Sequence, residues 1–263
     1  MTDNEPALTT PTMRLDGKIA MVTGAGRGLG RACALALAQA GAEVALVSRT
    51  RSELDRLTAE IIDGGGKAIP VVCDVTDTRA VESAVAALPG LDILVNNAGI
   101  NFPEPFTDVS EDHFDRIMAL NVRAVFMVSQ AASRRMIADG AGRDDKGGTI
   151  INMSSQMGHV GAPLRTVYCS SKHAVEGMTK AMAAELAPHN IRVNSIGPTF
   201  ILTPMTKPFF ENKAFNDDTL GRIPLGRLGE LEDIMGAVVF LASPAAALIT
   251  GTALVVDGGW TAI

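Results

Sequence analysis

The sequence predicts an α/β fold, in which a single domain holds a doubly wound parallel sheet of about seven strands with helices on both faces. Short apolar runs alternate with longer amphipathic stretches along most of the 263 residues. The apolar runs are continuous, as is typical of strands that are buried on both sides of a sheet. A chain of this length can bury one large core, and such sheets commonly remain a single domain.

The first strand is predicted from the apolar run KIAMVT at residues 18–23, which the glycine-rich segment GAGRGLG follows directly. An alanine-rich helix comes next and ends at Gly41, because glycine commonly stops a helix. Gly24, Gly28 and Gly30 would let the backbone approach a pyrophosphate, whose charge the amides at the helix N-terminus would meet. A tight strand-to-helix connection is the alternative interpretation of this turn.

The remaining elements follow the same alternation of apolar runs and periodic stretches. Further apolar runs predict strands at 43–48, 68–73, 91–95, 149–153, 190–196 and 253–256. Periodic stretches predict helices at 28–40, 51–63, 78–88, 111–138, 166–187 and 231–242. Residues 1–14 are expected to form a flexible polar leader, 15–263 the folded domain, and 140–148 a polar surface connection.

Tyr168 and Lys172 are four residues apart in a predicted helix, so their side chains stack on one face. A phenol ionises near pH ~10, and an ammonium one turn away is expected to lower the pKa of that phenol. Ser155 precedes this pair and would hold a carbonyl or hydroxyl oxygen against the phenol. The three residues predict a proton-transfer device for interconverting an alcohol and a ketone, with a separate hydride carrier.

These motifs, in this order, resemble those of the short-chain dehydrogenase/reductase family. They are TGAGRGLG at 23–30, CDV at 73–75, NNAG at 96–99, Asn121, and the set Ser155, Tyr168 and Lys172. The resemblance runs from about Leu15 to the C-terminus and implies a compact one-domain, Rossmann-type enzyme. One departure is Pro198–Thr199, where the family often has Pro-Gly.

The resemblance also implies a role for each residue of the catalytic set. Ser155 and Tyr168 would bind the reacting oxygen, and Tyr168 would transfer the proton. Lys172 would bond the nicotinamide ribose. An amide is costly in an apolar helix stripe unless it is bonded, and the resemblance implies that Asn121 holds a water beside the lysine.

The second predicted strand indicates which cofactor the chain prefers. NAD-binding sheets place an acid there for the ribose hydroxyls, whereas this strand ends at Ser48 and is followed by Arg49. A 2′-phosphate would settle against Arg49, and Arg27 is the second basic residue that NADP-binding members often place in the glycine turn. We expect NADP(H) to be preferred and leave NAD(H) open; ordinary surface charge is the alternative role of both arginines.

The expected cofactor contacts combine the glycine turn, the phosphate site and positions carried over from the resemblance. They are Gly24, Arg27, Gly28, Leu29, Gly30, Ser48, Arg49, Asp74, Val75, Asn97, Ala98, Gly99, Tyr168, Lys172, Pro198, Thr199, Ile201 and Thr203. In the family, the match of Asp74 frames the adenine. A role in tying the central strands together is an equally good account of the neighbouring Asn96.

The substrate is expected to be a small molecule with a carbonyl or alcohol group, bound by Ser155, Gln156, Arg165, Tyr168 and Phe200. The region around 199–220 matches the mobile lid of the family, although core packing is the alternative role of its aromatic residues. The resemblance favours a sugar, a sugar acid such as gluconate, or a small ketone. A 3-oxoacyl thioester reductase, a nucleotide-sugar epimerase and a dinucleotide-binding scaffold without turnover are the alternatives.

Composition excludes several other classes of protein. The net charge of −6 and pI near 5.3 argue against nucleic-acid partners and anionic membranes, and no apolar run is long enough to span a bilayer. Four histidines without metal-ligand spacing predict no metal, and three scattered cysteines are typical of a reducing cytoplasm. Spare apolar surface on helices 111–138 and 166–187 predicts a homotetramer or homodimer.

Overall fold

The structure, a computed structural model, describes residues 8–140, 147–203 and 206–262. Half of the expected leader, most of the connection at 140–148 and two positions of the expected lid lie outside these residues. The strands are β1 (Ile19–Thr23), β2 (Glu43–Ser48), β3 (Lys67–Val72), β4 (Ile93–Asn96), β5 (Gly148–Met153), β6 (Ile191–Pro198) and β7 (Ala253–Val256). They form one parallel sheet in the order β3-β2-β1-β4-β5-β6-β7, which confirms the predicted fold class.

The helices are α1 (Gly28–Gln39), α2 (Arg51–Asp63), α3 (Thr78–Ala86), α4 (Glu111–Met118), α5 (Val125–Gly140), α6 (Thr166–Leu186), α7 (Lys207–Phe210), α8 (Lys213–Gly221) and α9 (Leu231–Ala242). The helix predicted at 111–138 is interrupted, because a π-helical segment at Ala119–Ala124 separates α4 from α5. The short helices α7 and α8 were not predicted. Of the helices described here, none is long and apolar enough to cross a membrane.

Two apolar clusters cover the two faces of the sheet. Helices α1, α2 and α9 pack on one face, and α3, α5 and α6 pack on the other. The strands between them are almost wholly buried in the centre of the sheet, for example all four residues of β4. This burial explains why the strands read as continuous apolar runs.

A buried polar network crosses the centre of the sheet. Asn96 Nδ2 donates to Ser129 Oγ at 2.8 Å and to Asn152 Oδ1 at 2.9 Å, and Asn152 Nδ2 donates to Thr179 Oγ1 at 2.9 Å. Asn96 on β4 lies directly opposite Asn152 on β5. The network therefore joins β4 and β5 to α5 and α6, as the structural interpretation of Asn96 anticipated.

Candidate active site

The glycine turn after β1 needs its glycines for two different reasons. Gly24 and Gly28 have positive φ angles of 64° and 54°, which favour glycine. Gly30 has an ordinary φ, but a Cβ there would overlap the carbonyl oxygen of Gly24. Of these three glycines, only Gly28 has space for a Cβ, whose nearest neighbouring atom would be 3.9 Å away. Close packing explains Gly30, whereas the backbone at Gly28 remains approachable by a ligand.

The N-terminus of α1 can accept an anion. Arg27 occupies the N-cap position with extended backbone, makes no side-chain cap, and no acid lies in the first turn. The amide groups that begin a helix have no partner within it, and together with the helix dipole they favour a negative group. The turn and helix therefore fit the pyrophosphate of a dinucleotide, for which Leu29 and Gly30 would supply amides.

Two exposed arginines lie near the end of β2, where the 2′-phosphate was expected. Arg49 Nη1 is 3.9 Å from Asp74 Oδ2, and the Arg49 side chain is 77% exposed, so this ion pair is weak. Arg27 is exposed in the glycine turn. The Ser48 hydroxyl accepts a hydrogen bond from the Thr50 amide at 3.3 Å. Arg49 is therefore free to turn towards an anionic ligand.

The segments after β3 and β4 are fixed by their own hydrogen bonds. Asp74 accepts from the amide and hydroxyl of Thr76 at 3.0 and 2.7 Å, and the amide bond holds the pKa of Asp74 below its usual range. The amides of Asn97 and Ala98 donate to Thr23 Oγ1 at 3.0 and 3.2 Å. Val75, next to Asp74, is buried. The bonds to Thr23 place the segment after β4 beside the glycine turn, whereas those of Asp74 fix only the local turn after β3.

Asn121 lies in the π-helical segment and is almost completely buried. Its Oδ1 accepts from the Ile100 amide at 2.9 Å, and its Nδ2 donates to the Ile100 carbonyl oxygen at 2.9 Å and to Ser171 Oγ at 3.1 Å. A Cβ on Gly99 would lie 3.3 Å from the same Oδ1. The amide of Asn121 therefore joins the segment after β4 to α6, next to Tyr168 and Lys172.

Ser155, Tyr168 and Lys172 converge at the carboxyl end of β5. Ser155 Oγ is buried, accepts from the Met157 amide at 3.1 Å and donates to Gln156 Oε1 at 2.8 Å. Lys172 Nζ donates to the Met153 carbonyl oxygen at 2.7 Å and lies 5.6 Å from the centre of the Tyr168 ring. Two further N–H groups of the ammonium remain for other acceptors.

The pKa of the Tyr168 phenol differs in direction from the sequence-based expectation. Burial raises the pKa above its ordinary value, while the Ser155 hydroxyl and the Arg165 guanidinium lower it. We had expected Lys172 to lower it. Burial instead lowers the pKa of the Lys172 ammonium to about 8, and Glu176 opposes that change. Desolvation disfavours the charged form of both groups, which a sequence does not reveal.

Beyond β6, the predicted nicotinamide segment holds an unusual hydroxyl. Thr199 follows Pro198, donates its amide to the Val256 carbonyl at 3.1 Å, and has a buried Oγ1 that bonds no other described residue. Ile201 is buried and forms a bridge to Gly229. Thr203 Oγ1 lies 3.1 Å from the Thr206 hydroxyl. An unpartnered buried hydroxyl is costly, so Thr199 is suited to bond a cofactor or substrate.

Phe200, an expected substrate residue, packs within an aromatic cluster. Its ring centre lies 5.8 Å from those of Phe210, Phe215 and Trp260. The cluster holds α7 and α8 of the expected lid against the C-terminal segment. This arrangement agrees with the packing interpretation of the lid's aromatic residues, and a substrate contact by Phe200 stays a prediction.

Gln156 and Arg165 are the other expected substrate residues, and both lie beside the catalytic set. Gln156 is buried and bonded to Ser155, as described above. Arg165 is half-buried at the start of α6, and its Nη1 donates to the Leu164 carbonyl at 3.4 Å. Its effect on the pKa of Tyr168 shows that its charge is near the phenol.

The sequence interpretation missed Glu176. Tyr168, Lys172 and Glu176 follow one another at four-residue steps on α6, so the repeated spacing was the signal that could have found it. The Glu176 carboxylate is buried, although charged side chains are rarely buried unless they are paired. Within the described part of the chain, no cluster of three or more His, Cys, Asp or Glu residues could hold a metal ion.

Residues 24–261 match the family model described as enoyl-(acyl carrier protein) reductase. The chain is 42% identical to L-xylulose reductase of Bos taurus, over 95% of this chain and 99% of that protein. It is 40% identical to the 3-oxoacyl-(acyl carrier protein) reductase of Thermotoga maritima, over 94% and 99%.

Solved structures agree with the sequence comparisons. The crystal structure of a gluconate 5-dehydrogenase from Burkholderia cenocepacia, in complex with NADP and tartrate, superimposes with a TM-score of 0.90. The two chains are 36% identical, and the match covers 95% of this chain and 98% of the other.

Proposed function

Because this chain belongs to the short-chain dehydrogenase/reductase family, we propose that it reduces a ketone of a small sugar or sugar acid, and oxidises the corresponding alcohol, with NADP(H). The chain is an NAD(P)-dependent oxidoreductase that acts on CH–OH groups. One observation carries the reaction: Ser155, Tyr168 and Lys172 meet at the end of β5, on the same edge of the sheet as the uncapped glycine turn that follows β1.

The proposed roles follow from the contacts of each side chain. A bound nicotinamide dinucleotide supplies or accepts the hydride. Ser155 and Tyr168 bind the substrate oxygen, and Tyr168 gives its proton to that oxygen during reduction or removes it during oxidation. The bond from Lys172 to the Met153 carbonyl fixes the ammonium in the site, where its remaining donors orient a ribose. Asn121 fixes the segment after β4 against α6.

The phenol stays protonated up to high pH because burial raises its pKa, which suits a group that must donate a proton during reduction. The Lys172 ammonium, whose pKa is about 8, loses its charge at lower pH than the phenol does. We therefore expect reduction to decline as the pH rises above about 8, since the ribose then loses a charged donor. A profile of kcat against pH measures this decline.

The preference for NADP(H) rests on Arg49 and Arg27, since no acid ends β2. The proposal also agrees with the NADP present in the Burkholderia cenocepacia structure. Arg49 is paired only weakly with Asp74, so it loses little interaction energy when it turns to a 2′-phosphate. The ribose hydroxyl of NADH offers Arg49 no negative charge.

Replacing Arg49 with alanine is expected to raise the KM for NADPH by about ten- to a hundredfold, because one charge-assisted hydrogen bond is lost. The KM for NADH should stay within about twofold. Steady-state kinetics with both cofactors measures the difference. Arg56→Ala, which removes another exposed arginine from α2, is the matched control. Equal changes for NADPH and NADH would contradict the assigned phosphate site.

A hydroxyl-rich substrate agrees with the buried polar groups at the carboxyl edge of the sheet. Thr199 Oγ1 and Asn101 Oδ1 are buried and bond no other described residue, and the buried Gln156 amide bonds Ser155. Unsatisfied buried oxygens favour a ligand that carries several O–H donors. The acyl chain of a 3-oxoacyl thioester offers few such donors, which makes that substrate the second candidate.

Arg165 would distinguish a sugar acid from a neutral sugar. Its guanidinium is half-buried beside Tyr168 and bonds only the neighbouring Leu164 carbonyl among the described residues. For an acid substrate, Arg165→Ala is expected to lower kcat/KM by about ten- to a hundredfold, since one ionic hydrogen bond is lost. Kinetics with gluconate and with a neutral ketose tests this, and exposed Arg134→Ala is the control.

The deciding experiment follows NADPH absorbance with ketoses, keto-sugar acids, simple ketones and a 3-oxoacyl thioester. The highest kcat/KM is expected for a polyhydroxylated ketone. A thioester preferred by tenfold or more would overturn the substrate class but not the reaction class. Homotetramer formation through α4, α5 and α6 and a cytoplasmic location remain proposals, for which light scattering and cell fractionation are the tests.

A further inference from the structure

Behind the catalytic lysine lies a buried carboxylate that the mechanism above does not use. Glu176 follows Lys172 by one turn of α6, and its residue is only 6% exposed. Its Oε2 accepts a hydrogen bond of 2.8 Å from Ser195 Oγ, on β6. Its Oε1 accepts no hydrogen bond from the described residues. One carboxylate oxygen is therefore fixed to the sheet while the other is left for an ionic partner.

His159 is that partner, and it connects the buried carboxylate to the surface. Its Nε2 lies 3.5 Å from Glu176 Oε1, and its side chain is 31% exposed whereas that of Glu176 is 8% exposed. His159 follows the turn at Gln156–Gly158, which begins next to Ser155. The histidine thus faces Glu176 across the same turn that carries the catalytic serine.

Gly158 allows this turn to lie directly against α6. A Cβ at this position would lie 2.8 Å from Ser154 Oγ, 3.2 Å from Glu176 Cγ and 3.2 Å from the Lys172 carbonyl oxygen. The Ser155 turn, Lys172 and Glu176 are therefore in close packing contact. The Glu176 side chain is therefore enclosed between the turn that carries Ser155 and the helix that carries Lys172.

The ionisable groups around Glu176 are few. On its own helix Lys172 lies one turn before Glu176 and Tyr168 one further turn away, while the exposed Lys180 lies one turn after it and the exposed His173 three residues before it. On the packed turn there is His159. The neighbours from the sheet are the neutral hydroxyls of Ser195 on β6 and Ser154 directly after β5. The negative charge of Glu176 favours the ammonium of Lys172 and opposes the effect of burial. A permanent cation at position 159 would offset that negative charge, because residue 159 contacts Glu176 Oε1.

We propose that Glu176 and His159 are positioning residues that hold the charge of Lys172 and so set the pH range in which the enzyme works. The proposal rests on the function proposed above for Tyr168 and Lys172. The carboxylate contacts Ser195 and His159, and it acts on the reaction through Lys172. His159 contributes through its contact of 3.5 Å with the carboxylate oxygen that accepts no hydrogen bond.

The test is the pH profile of kcat for ketone reduction in Glu176→Gln, measured between about pH 6 and pH 10. When the Glu176 carboxylate is removed, no negative charge from that residue opposes the effect of burial, and the pKa of Lys172 falls further. The ammonium then loses its proton at lower pH, and the alkaline decline of kcat should move down by at least about half a pH unit. An alkaline decline that coincides with that of the wild type would overturn the proposal.

Three further variants distinguish the effect of the Glu176 charge from a structural effect of the substitution. Glu176→Asp keeps the charge and should restore the wild-type profile, whereas Glu185→Gln changes an exposed acid of the same helix and should leave it unmoved. His159→Lys places a permanent cation beside Glu176 on the surface, so it tests the idea even when Glu176→Gln does not fold. Its alkaline decline should also move to lower pH, and an unmoved one would contradict the pair.

The proposed function can fail separately from this inference. If Tyr168→Phe turns over at the wild-type rate, the assignment of the catalytic set is wrong whatever the Glu176 variants do. If Tyr168→Phe is inactive and the profile of Glu176→Gln is unchanged, only the role of Glu176 is wrong.

Discussion

Replacement of Tyr168 by phenylalanine is expected to lower kcat by about 10²–10⁴-fold, the range that a single general acid contributes. The phenylalanine ring keeps the packing on α6 and removes only the hydroxyl that faces Ser155. The proton that the substrate oxygen requires must then come from water. This loss corresponds to about 3–5 kcal/mol of transition-state stabilisation.

The measurement is single-turnover reduction with saturating NADPH, together with NADPH binding followed by fluorescence. Binding should stay within about threefold of the wild type, because Lys172 retains its bond to the Met153 carbonyl. Ser170→Ala, an exposed hydroxyl on the same helix, is the control and should remain fully active. A Tyr168→Phe enzyme that keeps more than about a tenth of the activity would refute the role of the phenol as proton donor.

Substitution of Gly30 by alanine is expected to disrupt the dinucleotide site. The new Cβ would overlap the Gly24 carbonyl oxygen and crowd Asn97 Nδ2, and the first of these is backbone that cannot rotate away. The turn must move, and Asn97 would lose its hydrogen bonds of 3.0 and 3.2 Å to the carbonyls of Thr23 and Gly24. Overpacking of this kind costs about 1–3 kcal/mol, or roughly 2–12 °C in Tm.

NADPH affinity should fall by at least about tenfold in the Gly30 variant, because the amides of the turn no longer converge on a pyrophosphate. Calorimetry and thermal unfolding measure the two effects. Gly177→Ala is the matched control: Gly177 is an exposed helical glycine with no atom within 4 Å of the new Cβ. Alanine favours a helix by about 1 kcal/mol, so this control should gain stability. Unchanged NADPH binding in Gly30→Ala would contradict the account of the turn.

The sheet was predictable because its strands are short and apolar, and because turns and periodic helical stretches separate them clearly in the sequence. The bounds of β2, β7, α2 and α9 are those expected from the sequence. The π-helical segment around Asn121 was not predictable, because no residue in the run ALNVRA distinguishes a widened turn from an ordinary one. Its cause is tertiary: the Asn121 amide bonds Ile100, a residue that is distant in the chain.

The residues of the site could be found from spacing, but their electrostatics could not. Spacing placed Tyr168 and Lys172 on one face and predicted that the lysine would lower the pKa of the phenol. In the structure the pKa of the phenol is raised instead, because the direction of the shift depends on burial and on which atom the lysine nitrogen bonds. Glu176 was missed for a related reason, since a glutamate in a helix is usually exposed and only the fold shows that this one is enclosed.

The hydrogen bond between the side-chain amides of Asn96 and Asn152 also fixes the register of β5 against β4. If β5 slid by one position along β4, Asn152 would turn to the opposite face of the sheet. It would lose its bonds to Asn96 and Thr179, while Asn96 would keep only Ser129, at about 1–3 kcal/mol for each lost partner. Aliphatic neighbours penalise such a slip far less, since one branched side chain can replace another. Hydrogen bonding thus sets the position of Ser155, which follows β5, relative to the loop that follows β4. The identities of the surrounding apolar residues can then vary without changing this register.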